Sequence, residues 1–468
     1  MNTTKVVGLI LCFALLFSFV GCNSSEKDSE KKQDDKNVDP ASLAGTKIKV
    51  YTHMGQRVLG EEKKDDDGNT YRDEDTAILK DLAEKFKDEY DITVELNVVS
   101  NEDELKPLFQ VEDDSVDIFT SPNWTIEEWQ KYTEPYFTVK EGEKEYGEYA
   151  TTMFNDGTNV FALSPGKAYE NSVVYNEEII KSVGYDEIPA TLDEFEKMCQ
   201  KIKDKKITPI SLHRVENWPL DTLKTIGDYI SGKNDSYASM LKSDTPFNPD
   251  EPIGGAIKMY TEWKSKGFFE PEVYTDFGVA MDSVAYGKAG MMLFGSWVVP
   301  QIQGRVPKGK DPSIIKFAPA PDFGNGRFVL TKAADTYAIS KFSKNKAASR
   351  LFIEYIAKDA QYIADSGFIA IKDGVEPIIP ELYSTIDEMV KNSEAELMFE
   401  APITDNRINN EEILTEANLM ADYKWAGNLF DTLDITKPDN WEKYDKQVKN
   451  QNKAYSEAKK DLGLSWTD

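Results

Sequence analysis

Between Thr46 and Phe119 the chain switches between two periodicities, and no other feature narrows its fold as much. Thr46-Lys47-Ile48-Lys49-Val50-Tyr51-Thr52 sets apolar residues at alternate positions, as a strand with one buried face requires. Ile78, Leu79, Leu82, Ala83 and Phe86 then share one face of a helix. Ile92, Val94, Leu96 and Val98 return to alternation, Asp103 to Gln110 has helical spacing, and Val116-Asp117-Ile118-Phe119 is a third strand. Strand, helix, strand, helix, strand in so short a span predicts an α/β unit on a parallel sheet. Parallel strands need a crossover, and a helix is the usual one. An acidic insertion, Glu61 to Asp75, separates the first strand from the first helix.

The pattern then starts again. Val160–Leu163 and Ser172–Asn176 read as strands. Thr191-Leu192-Asp193-Glu194 is a capping box opening a helix whose Phe195, Met198, Cys199 and Ile202 point inward. Ile207–Leu212 is a strand, and Pro219–Ile230 and Ile253–Lys264 are helices. Strands follow at Met291–Phe294, Ile314–Ala318 and Thr336–Ser340, and a helix begins near Ser343. From Asp359 the chain is mainly helical, ending in a helix with Trp441, Tyr444, Val448, Tyr455 and Leu462 on its apolar face. No solenoid period is present, and 468 residues suffice for two lobes of ordinary domain size.

The N-terminus has the shape of an export signal. Lys5 precedes an apolar run from Leu9 to Val20, too short to span a bilayer comfortably, and Val20-Gly21-Cys22 closes it. A small residue followed by Cys resembles the bacterial lipoprotein signal. That resemblance implies removal of residues 1–21 and lipidation of Cys22. Residues 22–45 are rich in Ser, Glu, Lys, Asp, Gln and Asn and cannot bury surface, so they are expected to form a disordered tether. Of the three cysteines only Cys199 then remains as a thiol, so no disulfide is expected. The net charge of -28 argues against a nucleic-acid partner, whose binding needs phosphate neutralisation. It also disfavours large polyanionic ligands. Two histidines are too few for a histidine-rich metal site. Asp65, Asp67, Gly68 and Glu74 match places in a calcium-binding loop, but Lys63 stands where the first carboxylate is required. The stretch therefore reads as a solvated acidic loop, and neither a metal nor a cofactor is expected.

Three segments, in order, carry a wider resemblance. They are Val160–Ile202 ("VFALSPGKAYENSVVYNEEIIKSVGYDEIPATLDEFEKMCQKI"), Ala285–Ile302 ("AYGKAGMMLFGSWVVPQI") and Phe352–Val375 ("FIEYIAKDAQYIADSGFIAIKDGV"). Together they resemble the extracellular solute-binding proteins of bacterial ABC importers, in the large sugar-binding class. The acidic insertion and the long helical tail depart from that pattern. The resemblance implies a two-lobed periplasmic-binding-protein-like α/β fold with a hinge and an interlobe ligand cleft. By that reading one lobe spans 46–162 plus 313–357 and the other 163–312 plus 358–468. It also implies a binding cycle in place of a reaction, an ABC permease as partner, and anchorage at the extracellular face of the cytoplasmic membrane.

Ligands of α/β sheets bind beyond the carboxyl ends of strands, and a sugar needs flat aromatics for its faces and planar polar groups for its hydroxyls. Residues of those types just past the expected strands are Asn123 and Trp124, Arg214, Asn217 and Trp218, and Trp297 after the strand Met291–Phe294. Tyr169 and Glu170 sit just past the first crossing. Weaker candidates are His53, Gln56, His213, Glu216, Asn171, Asp335, Asp365 and Phe368. A polyamine or peptide ligand would draw on the same residue types. A surface-anchored glycoside hydrolase would need a pair of carboxylates at a set separation, and no hydrolase motif stands out.

Overall fold

The computed structural model describes residues 38–64, 70–120, 124–270, 276–378, 381–433 and 441–467. The signal and Cys22, Asn123 and the centre of the acidic loop lie outside the described residues. Two sheets, each with its own core, are joined by a third.

The first sheet runs in the order Thr93–Val98, Lys47–Thr52, Ile118–Thr120, Tyr337–Ser340 and Thr133–Glu134, with Ala162–Leu163 also on Tyr337–Ser340. Its first three strands are parallel, as the crossover pattern predicts. Tyr337–Ser340 joins antiparallel, with Ala338 opposite Phe119. Leu79, Leu82, Ala83 and Phe86 of the helix Ile78–Tyr90 are buried against Ile48, Val50 and Ile118, and Phe352 and Ile356 close the same core. Burying a large apolar side chain stabilises by about 1.5–3 kcal/mol, so a face of this kind holds the helix to its sheet.

The second sheet is Thr208–Ile210, Ala289–Phe294, Ser172–Asn176 and Ile315–Ala318. Thr191 caps the helix Leu192–Asp204, whose Phe195, Met198, Cys199 and Ile202 are buried as the sequence predicts. The C-terminal helices pack onto this body, with Trp425, Tyr444 and Tyr455 in its core, but Leu462 is 40% exposed.

Gly166–Glu170, Phe328–Ala334, Ile369–Ala370 and Glu396–Phe399 form the joining sheet. Here the sequence expectation is corrected. Ile315–Ala318 was assigned with the first lobe, but it pairs with Ser172–Asn176 and buries Phe317 against Tyr169 and Tyr383. The chain returns only at Phe328–Ala334, a strand the sequence reading missed. Tyr362 and Ile363, assigned with the second lobe, belong to the first core. Among the described residues no helix is long and apolar enough to cross a membrane.

Candidate functional site

A cavity of about 990 Å³ opens between the two bodies. Its floor is the joining sheet, through Glu170, Lys332, Ala333 and Ala334. One wall is the stretch after the first strand, His53 to Arg57. The opposite wall carries Trp218, Phe277 and Trp297.

The aromatic wall grows from one strand end. Ala289–Phe294 is buried throughout, and its last residue leads into a short 3₁₀ turn, Ser296–Val298. Gly295 makes that turn possible. A Cβ there would collide with the Trp297 indole nitrogen and with Glu170 Oε2. With no side chain in the way, the indole N–H donates to the Glu170 carboxylate. Trp297 packs edge-on against Phe294 at 5.3 Å, and Trp218 and Phe277 meet edge to face at 5.8 Å. Behind them His213 is fully buried among Trp218, Phe277 and Phe294. Burial pushes its pKa down to about 4, so it is neutral at pH 7.

Polar groups on the other surfaces come in neutralised sets. Arg57 pairs with Asp335 and lies over the Phe368 ring. Arg305 pairs with Asp282 at 3.0 Å. Lys332 lies 3.9 Å from both Glu170 and Glu400, whose charges keep its pKa above the usual lysine value. Burial raises Glu170 against the opposing pull of Lys332. His53 Nδ1 meets Glu102 Oε1 at 2.8 Å, and that hydrogen bond holds the imidazole pKa above its ordinary value.

A second cavity of about 640 Å³ lies on the far side of Glu170 and Lys332 and shares both side chains with the first. It is enclosed by the helix Thr222–Ser231, the stretch Glu400–Arg407 and the C-terminal Trp466 and Thr467.

Trp297, Trp218 and Glu170 therefore reach the cleft, together with His53, Gln56, Asp335 and Phe368. Several expected residues do not. Trp124 is 4% exposed in a cluster with Phe109, Phe119, Trp129 and Tyr132, and its indole donates to Asp103 at 2.9 Å. Tyr169 faces away from the cleft because side chains alternate along its strand; its hydroxyl donates to Asp387 at 3.0 Å. Arg214 makes two 2.9 Å bonds to Asp431 and a third to Asn217, whose left-handed backbone (φ 59°) directs its amide to Asp422 O. Both clamp the C-terminal helices and line neither cavity. Asn171 lines the second cavity, and Asp365 bonds Gln361 at the surface. Arg57, Phe277, Arg305 and Lys332 were missed. Arg57 alone left a trace, one turn beyond the first strand's carboxyl end.

Residues 69–363 match the family model described as bacterial extracellular solute-binding protein. A multiple sugar-binding protein of Streptococcus mutans is 26% identical over 272 residues, taking in 53% of this chain and 61% of that relative's length. Among solved structures, a mannobiose-bound ABC-transporter binding protein of Bifidobacterium animalis subsp. lactis superposes with a TM-score of 0.73 at 21% identity, covering 91% of this chain and 98% of the other. A manno-oligosaccharide-specific solute-binding protein of the same organism, with mannotriose bound, gives 0.67 at 19% identity over 90% and 96%.

Proposed function

We propose that this chain, which belongs to the bacterial extracellular solute-binding proteins, captures a sugar or oligosaccharide in the cleft between its two lobes and delivers it to the permease of an ABC importer. One observation carries the ligand class. An aromatic wall of Trp218, Phe277 and Trp297 faces planar polar groups across a cavity of about 990 Å³. Sugar C–H faces stack on aromatic rings, and sugar hydroxyls pair with amides, carboxylates and guanidinium groups. The pairing of Arg57, Arg305 and Lys332 with carboxylates favours a ligand without net charge at this part of the site. The sugars named for the related proteins point the same way.

The crossings Gly166–Glu170, Phe328–Ala334 and Ile369–Ala370 act as the hinge. Closure about them is favoured only by the ligand's tighter binding to the closed form. The lipoprotein-like N-terminus supports export, lipidation of Cys22 and tethering at the extracellular face of the membrane. Two carbon chains or more would make that attachment stable. Membership of the solute-binding family supports binding without chemistry.

The test is calorimetry of the purified protein against neutral mono- and oligosaccharides, after a thermal-shift screen that finds a binder by mass action. Trp297→Ala is expected to weaken binding tenfold or more, about 1.4 kcal/mol, while the fold stays intact by circular dichroism. Unchanged affinity, or release of reducing ends on incubation, would overturn the reading.

A further inference from the structure

We propose that the second cavity is a subsite for a cationic group on the bound sugar, received by the Asp228 carboxylate. This rests on the cleft being a sugar site. Glu170 and Lys332 line both cavities, and a ligand stacked on Trp297 would reach the second one by passing this pair.

Apart from Asp228, every charge on its wall lies within ion-pair distance of an opposite charge, with Glu170 and Glu400 dividing one lysine between them. Asp221 meets Lys224 at 2.7 Å, Asp235 meets Lys242 at 3.6 Å, and Glu170 and Glu400 share Lys332. Arg407 pairs with Glu411 at 3.5 Å. Asp228 has no basic side chain within ion-pair distance among the described residues. It is 9% exposed, on the helix Thr222–Ser231. Its Oδ1 accepts from both the backbone N–H and the hydroxyl of Ser236, at 2.9 and 2.5 Å. Its Oδ2 has no hydrogen-bond partner among the described residues, and the side chain lines the cavity.

A buried carboxylate in this position lacks only a cation. Burial, with Asp235 and Glu400 nearby, pushes its pKa up to about 7. The surrounding rings already hold cations on their faces, Lys224 at 4.1 Å from the Tyr237 centroid and Lys242 at 3.7 Å from that of Trp466. Those two ring faces are thus occupied, and Asp228 is the group that would receive an ammonium. Neutral hydroxyls would be served by the cleft alone. The ligand class that fits both cavities is an oligosaccharide carrying a protonated amine at one end, such as an amino sugar.

The experiment compares an N-acetylglucosamine trisaccharide with the same trisaccharide bearing one free amine, on its terminal residue, by calorimetry at pH 6, in buffers of different ionisation enthalpy. The amine-bearing sugar is expected to bind at least tenfold tighter and to release a proton from Asp228 on binding. Asp228→Asn keeps the acceptor for Ser236 and removes the charge. It is expected to abolish the preference and the proton release, so that the two sugars bind D228N with equal affinity. Equal affinity for the two sugars, or a preference that survives in D228N, overturns the proposal. If neither trisaccharide binds but other neutral sugars do, the cationic subsite falls and the cleft reading stands. If no sugar binds, both fall.

Discussion

At the residue scale, the cleft depends on atoms that are missing as much as on those present. Gly295→Ala would push a methyl group into Trp297 and Glu170. Overpacking of this kind costs about 1–3 kcal/mol, and here it falls on the stacking platform. The expected result is a modest drop in melting temperature with a larger loss of sugar affinity, read by calorimetry on the same sample. His53 supplies a pH dependence. The Glu102 hydrogen bond raises its pKa above 6.5, so its contribution to stability is full below 6.5 and is lost as pH rises through the raised value. Burial works against Glu102, but hydrogen bonds from His53 and Thr120 hold its pKa below 4.5, so its contribution is lost as pH falls through the lowered value. Urea unfolding across pH 4 to 9 is expected to show the native protein losing stability above neutrality relative to His53→Gln. Parallel curves would refute it.

Among elements, the helix Glu381–Lys391 matters most to the site without entering it. Tyr383, 1% exposed, donates its hydroxyl to Ser296 O at 3.0 Å, directly behind the turn that presents Trp297. Gly367 fits the same place because a Cβ there would come within 3.1 Å of Trp297 Cα. Tyr383→Phe leaves the Ser296 carbonyl without this donor in a dry interior, at a cost of about 1–2 kcal/mol. A melting temperature equal to the parent's would show the bond to be dispensable. Element identity was largely legible in the sequence. The helix faces at Leu79–Phe86 and Phe195–Ile202 follow from apolar spacing, and spacing is local. The strand Phe328–Ala334 was not legible. It lies on the joining sheet between Gly166–Glu170 and Glu396–Phe399, so its partners sit far away in the chain.

For the whole molecule, the Arg57–Asp335 pair fastens the first body to the end of the return crossing. Asp335 holds a left-handed backbone (φ 49°), which Asn tolerates well, so Asp335→Asn isolates the charge. Breaking the pair leaves a largely buried guanidinium without its carboxylate, at about 3 kcal/mol. Urea unfolding is expected to show that loss, and a variant of parental stability would mean that solvent already screens the pair.

By itself the sequence determined the α/β class, the helix faces and the family resemblance, and it named Trp297 and Trp218 among its cleft candidates. Each follows from periodicity or from a short motif at a strand end. Tertiary structure alone decided which other residues share the cleft. Trp124, Tyr169 and Arg214 have the right chemistry in the right neighbourhood, yet strand alternation turns Tyr169 away, an aromatic cluster absorbs Trp124, and Asp431 claims Arg214. Which direction a side chain takes depends on partners tens to hundreds of residues away, and local pattern carries no record of them. The second cavity shows the same limit, since its walls come from the helix Thr222–Ser231, the stretch after Glu396–Phe399 and the last residues of the chain.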